Sequence, residues 1–346
     1  MAWYQSPLTE SSPIISARVR LARNIKKYPF KTKLTTALSR QMVEDVEAAV
    51  KNRRTSKGER FNKLDPDTYS PTEKEMFLEK HIVSREFVTS QHPRGLLLNG
   101  NGDISIMVNE EDHLRIQAFC PSDDIVAAWE VANRADDLIE RTLEYAFHTE
   151  YGYLTACPTN VGTGMRASFM VHLPMLEKTN RLKHLLPAIG KFGIAIRGLY
   201  GEGSESMGGI YQISNQITLG KSEPDIIQGL QSVAKNLIEN ELRIRTKMFE
   251  KHRLEITNNI YRAYGILQYG RKVSLKEAVE MLSEIRLGFA LNLLEDLPRP
   301  RKNLYQIMME IQPGHIIHRA GNFTLENISE RQQDAIRADY LRSMFS

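Results

Sequence analysis

RGLLLNGNGDISIMVNEEDHLRIQAFC, residues 94–120, sets two apolar runs on either side of NGNGD and adds a third run a few residues later. Asn and Gly close such short connections because they tolerate positive φ, so the stretch predicts a β-hairpin over 94–109 with a further strand, HLRIQAFC, beside it. Outward from this core, SPIISARVRLARN (12–24) alternates like a strand while carrying three arginines. YGYLTA (151–156), RASFMVHL (166–173), FGIAIRGLY (192–200) and GGIYQISNQITLG (208–220) also read as strands.

Helical spacing appears in LSRQMVEDVEAAVKN (38–52), and KNRRTSKGERFNKLDPD (51–67) reads as an exposed loop. Ser70, Pro71 and Glu73 form a helix start: a capping serine, a proline in the first turn and a carboxylate three residues past the cap. Residues 122–148 predict one long amphipathic helix opened by Ser122, Asp123 and Asp124. From about Glu223 helices dominate, with a Ser274/Glu277 capping box and a final helix in ERQQDAIRADYLRSMF. Strands followed by a run of helices predict an α+β fold: a domain over 1–245 with a largely antiparallel sheet flanked by helices, then an α-helical domain over 246–346.

With 346 residues, 41% hydrophobic and 25% charged, the chain has the composition of a globular protein able to bury a full core. No run approaches the roughly 20 apolar residues of a membrane span, and the N-terminus lacks a signal-peptide pattern, so a cytoplasmic protein with no membrane partner is expected. Two cysteines, Cys120 and Cys157, are too few for a disulfide framework or a four-ligand zinc site, and no protein-held metal is expected. A net charge of +4 makes no case for direct nucleic-acid binding.

Four segments carry charge where an ordinary strand or turn would not. SARVR (16–20) places Arg18 and Arg20 two apart, hence on one face of a strand. NEEDHLR (109–115) sets carboxylates before Arg115; CPTNVGTGMR (157–166) joins a cysteine, glycines and Arg166; IRGLYGEGSES (196–206) follows Arg197 with a glycine-rich loop around Glu202. Each alone reads as a solvated face. Together, arginines converging on one site repel each other unless a strongly anionic ligand sits among them, and a nucleoside triphosphate with Mg²⁺ fits that description. Phosphoryl transfer rests on clamping and charge stabilisation, which forked guanidiniums supply. The GxxxxGK[ST] loop and the HRD and DFG motifs do not occur, so arginines would take the place of a P-loop.

CPTNVGT resembles the signature of the ATP:guanidino phosphotransferases, the creatine and arginine kinases, with Val161 as a conservative departure. SARVR, NEEDHLR, Arg166 and the arginine before the Gly-Glu loop are similar to that family's other motifs, in the family's order. Together with the helical C-terminal region, CPTNVGTGMRASFMVHLP and RGLYGEGSES most resemble the bacterial protein-arginine kinases of the McsB type. The resemblance implies ATP and Mg²⁺ as cofactors, protein substrates bearing arginine, an activator protein of the McsA kind, a Clp ATPase partner and a homodimer. It implies phosphate-binding roles for Arg18, Arg20, Arg115, Arg166 and Arg197, a nucleotide-side histidine at His81, a catalytic base at Glu111 and a second carboxylate at Glu202. It also implies a phosphoarginine site at Asp334 and Arg337, within QDAIRA, where Gln333 stands in place of an arginine.

The chemistry of the residues agrees with these roles. A guanidinium, with a pKa above about 12, is a poor nucleophile until oriented and relieved of a proton. Carboxylates match its fork and accept that proton. Cys157 has two readings, a small turn residue or a thiolate steadied by arginines beside the acceptor. Two other functions stay open: a kinase for a free guanidino metabolite, and a non-catalytic regulator that binds phosphate or nucleic acid.

Overall fold

The computed structural model describes residues 3–5, 10–199 and 206–346. Glu202 therefore lies outside the described residues. The strands are β1 (Ile14–Arg23), β2 (Phe61–Leu64), β3 (Gly95–Asn99), β4 (Ile104–Val108), β5 (Leu114–Cys120), β6 (Phe147–His148), β7 (Gly152–Tyr153), β8 (Met165–His172), β9 (Ile194–Gly198) and β10 (Ile210–Asn215). Among the described residues an eight-stranded antiparallel sheet runs in the order β2-β3-β4-β5-β1-β8-β10-β9, and β6 and β7 form a separate hairpin. The hairpin and third strand expected over 94–120 are present as β3, β4 and β5. β1 lies between β5 and β8, so the N-terminal strand joins the two halves of the sheet.

Helices α1 (Thr36–Val50), α2 (Pro71–Glu79), α3 (Arg85–Thr89), α4 (Ile125–Glu140), α5 (Pro174–Lys178) and α6 (Arg181–Gly190) lie between the strands. α7 (Glu223–Lys251), α8 (Arg253–Tyr269), α9 (Leu275–Ala290), α10 (Leu304–Glu310), α11 (Pro313–Ala320) and α12 (Glu330–Phe345) follow them. α4 packs on β1 and β5, and α7 packs on β8 and β10. They cover the face carrying Ala17, Val19, Leu21, Ile116, Ala118, Ala167, Phe169 and Ile213, all buried. Burying each larger apolar side chain of this set contributes about 1.5–3 kcal/mol. Apolar contact continues from the sheet into α8, α9, α10 and α12, and α11 packs on α2. No helix among the described residues is long and apolar enough to cross a membrane.

Several sequence expectations need correction. The helix expected over 122–148 stops at Glu140, because the backbone turns to pair with the end of β1: Lys26 N donates to Glu144 O and Ala146 N to Asn24 O. The loop expected over 51–67 contains β2, an edge strand whose Phe61 is buried. In YGYLTA only Gly152–Tyr153 is a strand. Ser70 and Glu73 form the full reciprocal box, whereas Ser274 accepts from Glu277 N without a reciprocal bond from the Glu277 carboxylate.

Candidate active site

Strand register decides which arginines meet. Arg20 on β1 is directly opposite Arg166 on β8 and Gln117 on β5. Arg115 on β5 is opposite Ala22, and Arg197 on β9 is opposite Gln212 of β10, which in turn faces Met170 of β8. Opposed residues share a face, as do residues two apart. Arg18, Arg20, Arg115, Arg166 and Arg197 therefore all project from one face of the sheet, the one turned away from α4 and α7. Arg23, three residues from Arg20, falls on the core face, where it is buried and pairs with Asp136 of α4 at 2.8 Å.

Among the described residues the arginine face is short of counter-charge. Arg18 donates to Gln212 Oε1 at 2.7 Å and lies 5.5 Å from the centre of the Phe119 ring; burial is the main cause that lowers its pKa to about 10, with Arg115 adding to it. Burial first, then Arg18, Arg115 and Arg166, holds Arg20 well below the ordinary arginine range. Arg166 is lowered by burial, then by Arg197 and Arg115. The Nε atoms of Arg20 and Arg166 are buried without an acceptor among the described residues. Several guanidiniums placed so close are an anion site by construction.

His81 sits between α2 and α3 with a left-handed φ of 57°, and its carbonyl accepts from Gln117 Nε2 at 2.8 Å. Burial, then Arg18 and Arg20, lowers its pKa to about 3, which keeps the ring neutral beside the arginines. Its buried Nε2 has no partner among the described residues.

The two glutamates of NEEDH have different surroundings. Glu110 is buried, accepts from Ser84 Oγ and from the backbone N of Glu111, and pairs with Arg115. Glu111 is half-exposed, reaches Arg115 Nη2 at 3.4 Å and lines a cleft of about 170 Å³ together with Arg20, Arg115, Cys157, Thr159 and Arg166. Burial raises the Glu111 pKa; Arg115 opposes this, while Asp112, Glu110 and Glu86 reinforce it. A carboxylate with a raised pKa facing a cleft is suited to proton transfer.

Cys157 precedes a 3₁₀ turn, Pro158–Asn160, and its Sγ lies 3.0 Å from Thr159 Oγ1. Two glycines make the bend that follows possible. Gly162 has φ 110°, and a Cβ there would lie 2.4 Å from Thr218 O; Gly164 has φ 60°, and its Cβ would lie 2.6 Å from Ala22 O. The clasp thus packs against β1 and delivers Arg166 into the sheet. Asp112 locks it to the glutamates: its Oδ1 accepts from Ala156 N at 2.6 Å and from Asn24 Nδ2 at 2.7 Å.

Asp334 and Arg337 lie on α12, in the C-terminal helical region. Arg337 is buried, donating to Ile311 O, Val273 O and Asp334 Oδ1. The sequence reading passed over Glu110, Asp112 and Gln212. The first two adjoin Glu111 and were visible as a run of acids, but nothing local separated the exposed one from the buried ones. Gln212, an unremarkable polar residue on a strand, carried no signal.

Residues 41–244 match the family described as ATP:guanido phosphotransferase, C-terminal catalytic domain, and residues 253–346 match the Protein-arginine kinase McsB C-terminal domain. A protein-arginine kinase of Brevibacillus brevis is 39% identical over 340 residues, covering 98% of this chain and 94% of the relative. One of Bacillus subtilis is 39% identical over 341 residues, covering 99% of this chain and 92% of the relative. Among solved structures, the duplicated taurocyamine kinase from Schistosoma mansoni with transition-state-analogue components superposes with a TM-score of 0.58 at 27% identity, covering 66% of this chain and 33% of that one. Lombricine kinase, at 24% identity and a TM-score of 0.61 over 70% of this chain and 71% of its own, shares the fold. Arg115, Arg166, Arg197, Glu110 and Glu111 sit in the segment 41–244 that carries the catalytic-domain match, Arg18 and Arg20 precede it within the span shared with the relatives, and the chain belongs to the ATP:guanido phosphotransferases, within their protein-arginine kinase family.

Proposed function

We propose that this chain transfers the γ-phosphoryl group of ATP to arginine side chains of proteins. The observation that carries the reading is a single sheet face with Arg18, Arg20, Arg115, Arg166 and Arg197 but, among the described residues, too few acids to balance them, bordering a cleft that contains Glu111 and Cys157.

In this reading the arginines grip the phosphates and stabilise charge on the transferred group, with His81 a neutral contact on the nucleotide side. Glu111 orients the acceptor guanidinium by its fork and takes its proton. The freed nitrogen lone pair then forms the N–P bond as the bond from the γ-phosphorus to the ADP oxygen breaks. Cys157 assists from the lining of the same cleft without forming a covalent bond. Glu202 is assigned the second carboxylate role from its motif alone. Mg²⁺ fits this donor set through the nucleotide: the wall is cationic, so the ion would be held by phosphate oxygens, where it neutralises charge.

Residues 1–245 are assigned as the catalytic domain and 246–346 as a regulatory and dimerising domain, in a cytoplasmic homodimer. An activator protein and a Clp ATPase are assigned as partners by family likeness. The phosphoarginine role of Asp334 and Arg337 is assigned from the family motif; on α12, Arg337 donates through Nε to Ile311 O and through Nη1 to Val273 O and Asp334 Oδ1.

The test offers ATP and Mg²⁺ with free arginine in one tube and an unfolded basic protein in another. Acid-labile phosphate on the protein, lost in Glu111→Gln, is expected. Label on neither acceptor overturns the kinase reading, and label on free arginine alone moves it to a guanidino metabolite.

A further inference from the structure

Large apolar side chains are exposed on several elements attached to the segment 157–164, which lines the cleft. The β6–β7 hairpin shows Phe147 and Tyr151, the turn before β9 shows Phe192, and the connection between β10 and α7 shows Ile217 and Leu219; each is between 46% and 66% exposed. These elements are fastened to the clasp that carries Cys157. Tyr153 N donates to Gly162 O, and a Cβ on Gly152 would lie 2.5 Å from that same oxygen. Thr218 Oγ1, between the two exposed aliphatic residues, donates to Thr159 O at 3.0 Å and Val161 O at 2.7 Å. Gly193 approaches Ile217 so closely that a Cβ would lie 2.6 Å from its Cδ1. The apolar rim is thus continuous with the wall formed by Cys157 and Thr159.

An arginine that places its guanidinium in the cleft leaves its own backbone at the mouth, so its neighbours in sequence lie on this rim. A solvent-exposed apolar rim serves no purpose toward a small, fully polar guanidino compound, whereas an unfolded chain offers apolar side chains to cover it. We propose that Phe147, Tyr151, Phe192, Ile217 and Leu219 form a docking surface for the apolar residues flanking a target arginine in an unfolded polypeptide. This rests on the protein-arginine kinase reading above.

Two peptides of equal length test it, one with glycine and serine around a central arginine and one with leucine and phenylalanine there. The wild-type chain should phosphorylate the apolar-flanked peptide with a kcat/KM about tenfold higher, chiefly through KM. Phe147→Ser with Leu219→Ser should erase that preference while the rate on the polar-flanked peptide stays unchanged, which also shows that the double variant is folded. Equal rates on the two peptides for the wild type, or a preference kept by the variant, overturn the docking surface alone. Label on neither peptide overturns the kinase reading and the surface together. Sedimentation supplies the remaining outcome: a dimer in the wild type and a monomer in the variant would make the rim a contact between copies of this chain and overturn the proposal.

Discussion

Arg20 and Arg166 face each other across neighbouring strands, the Nε of each buried without an acceptor among the described residues. Such an arrangement stores repulsion that a bound anion relieves. Arg20→Met should therefore raise the melting temperature of the ligand-free protein by an amount equivalent to on the order of 1 kcal/mol, while ATP no longer stabilises it. In the wild type, ATP at a hundredfold excess over Kd should add about 2.7 kcal/mol. Thermal unfolding with and without nucleotide measures both, and a destabilised ligand-free variant would contradict the arrangement.

Glu111→Gln should lower kcat by roughly 10²- to 10⁴-fold and leave ATP affinity little changed. The base works only when deprotonated, so activity is lost as pH falls through its pKa. That pKa is raised by burial, which places the acid limb of the rate profile above the ordinary carboxylate value of about 4.3. A pH–rate profile showing the limb at or below that value would count against Glu111 as the base.

Asp112 holds the loop before Cys157 through Ala156 N and the end of β1 through Asn24. Asp112→Ala removes the acceptor of both bonds without touching the cleft. The expected result is a loss of about a hundredfold in kcat, from misplacement of Glu111 relative to Cys157, with KM for ATP nearly constant. Rescue by Asp112→Asn, whose carbonyl oxygen still accepts, distinguishes positioning from charge.

Cys157→Ala should slow turnover by about tenfold, and alkylation of the thiol should slow it further by filling the cleft. Full activity after both treatments would remove Cys157 from the site.

On the opposite face of the sheet, Asp136→Ala leaves the buried Arg23 guanidinium with only the more distant Glu223, 3.8 Å away, as a carboxylate partner, beside its bond to Thr163 O at 2.9 Å and the Tyr153 ring. The loss should be about 3–5 kcal/mol in chemical denaturation. Arg18, five residues away on the ligand face, should tolerate substitution to Ala without comparable loss.

The meander of β3, β4 and β5 was legible because its turn residues and apolar runs are local signals. The pairing of Arg18 with Arg20 was legible from the two-residue period of a strand. The same period placed Arg23 among the alternating apolar positions Ile15, Ala17, Val19 and Leu21, a hint of the buried pair with Asp136 that needed α4 in place to be understood. The end of the helix at Glu140 was not legible, since the helical pattern gives way only when residues 144–146 find the end of β1. Glu110, Glu111 and Asp112 are chemically alike in sequence, and burial alone separates the anchors from the base.

By itself the sequence determined the chemical kinds of side chain available, the turns that the glycines permit, and which neighbours along one strand share a face. The tertiary structure alone decided that Arg20 meets Arg166, that Asp112 ties the glutamates to the clasp, and that Arg337 turns inward. Those contacts join segments remote in the chain, and they exist because β1 pairs with both β5 and β8. That placement follows from burying one apolar face under α4 and α7, a condition on the whole sheet that no single segment expresses.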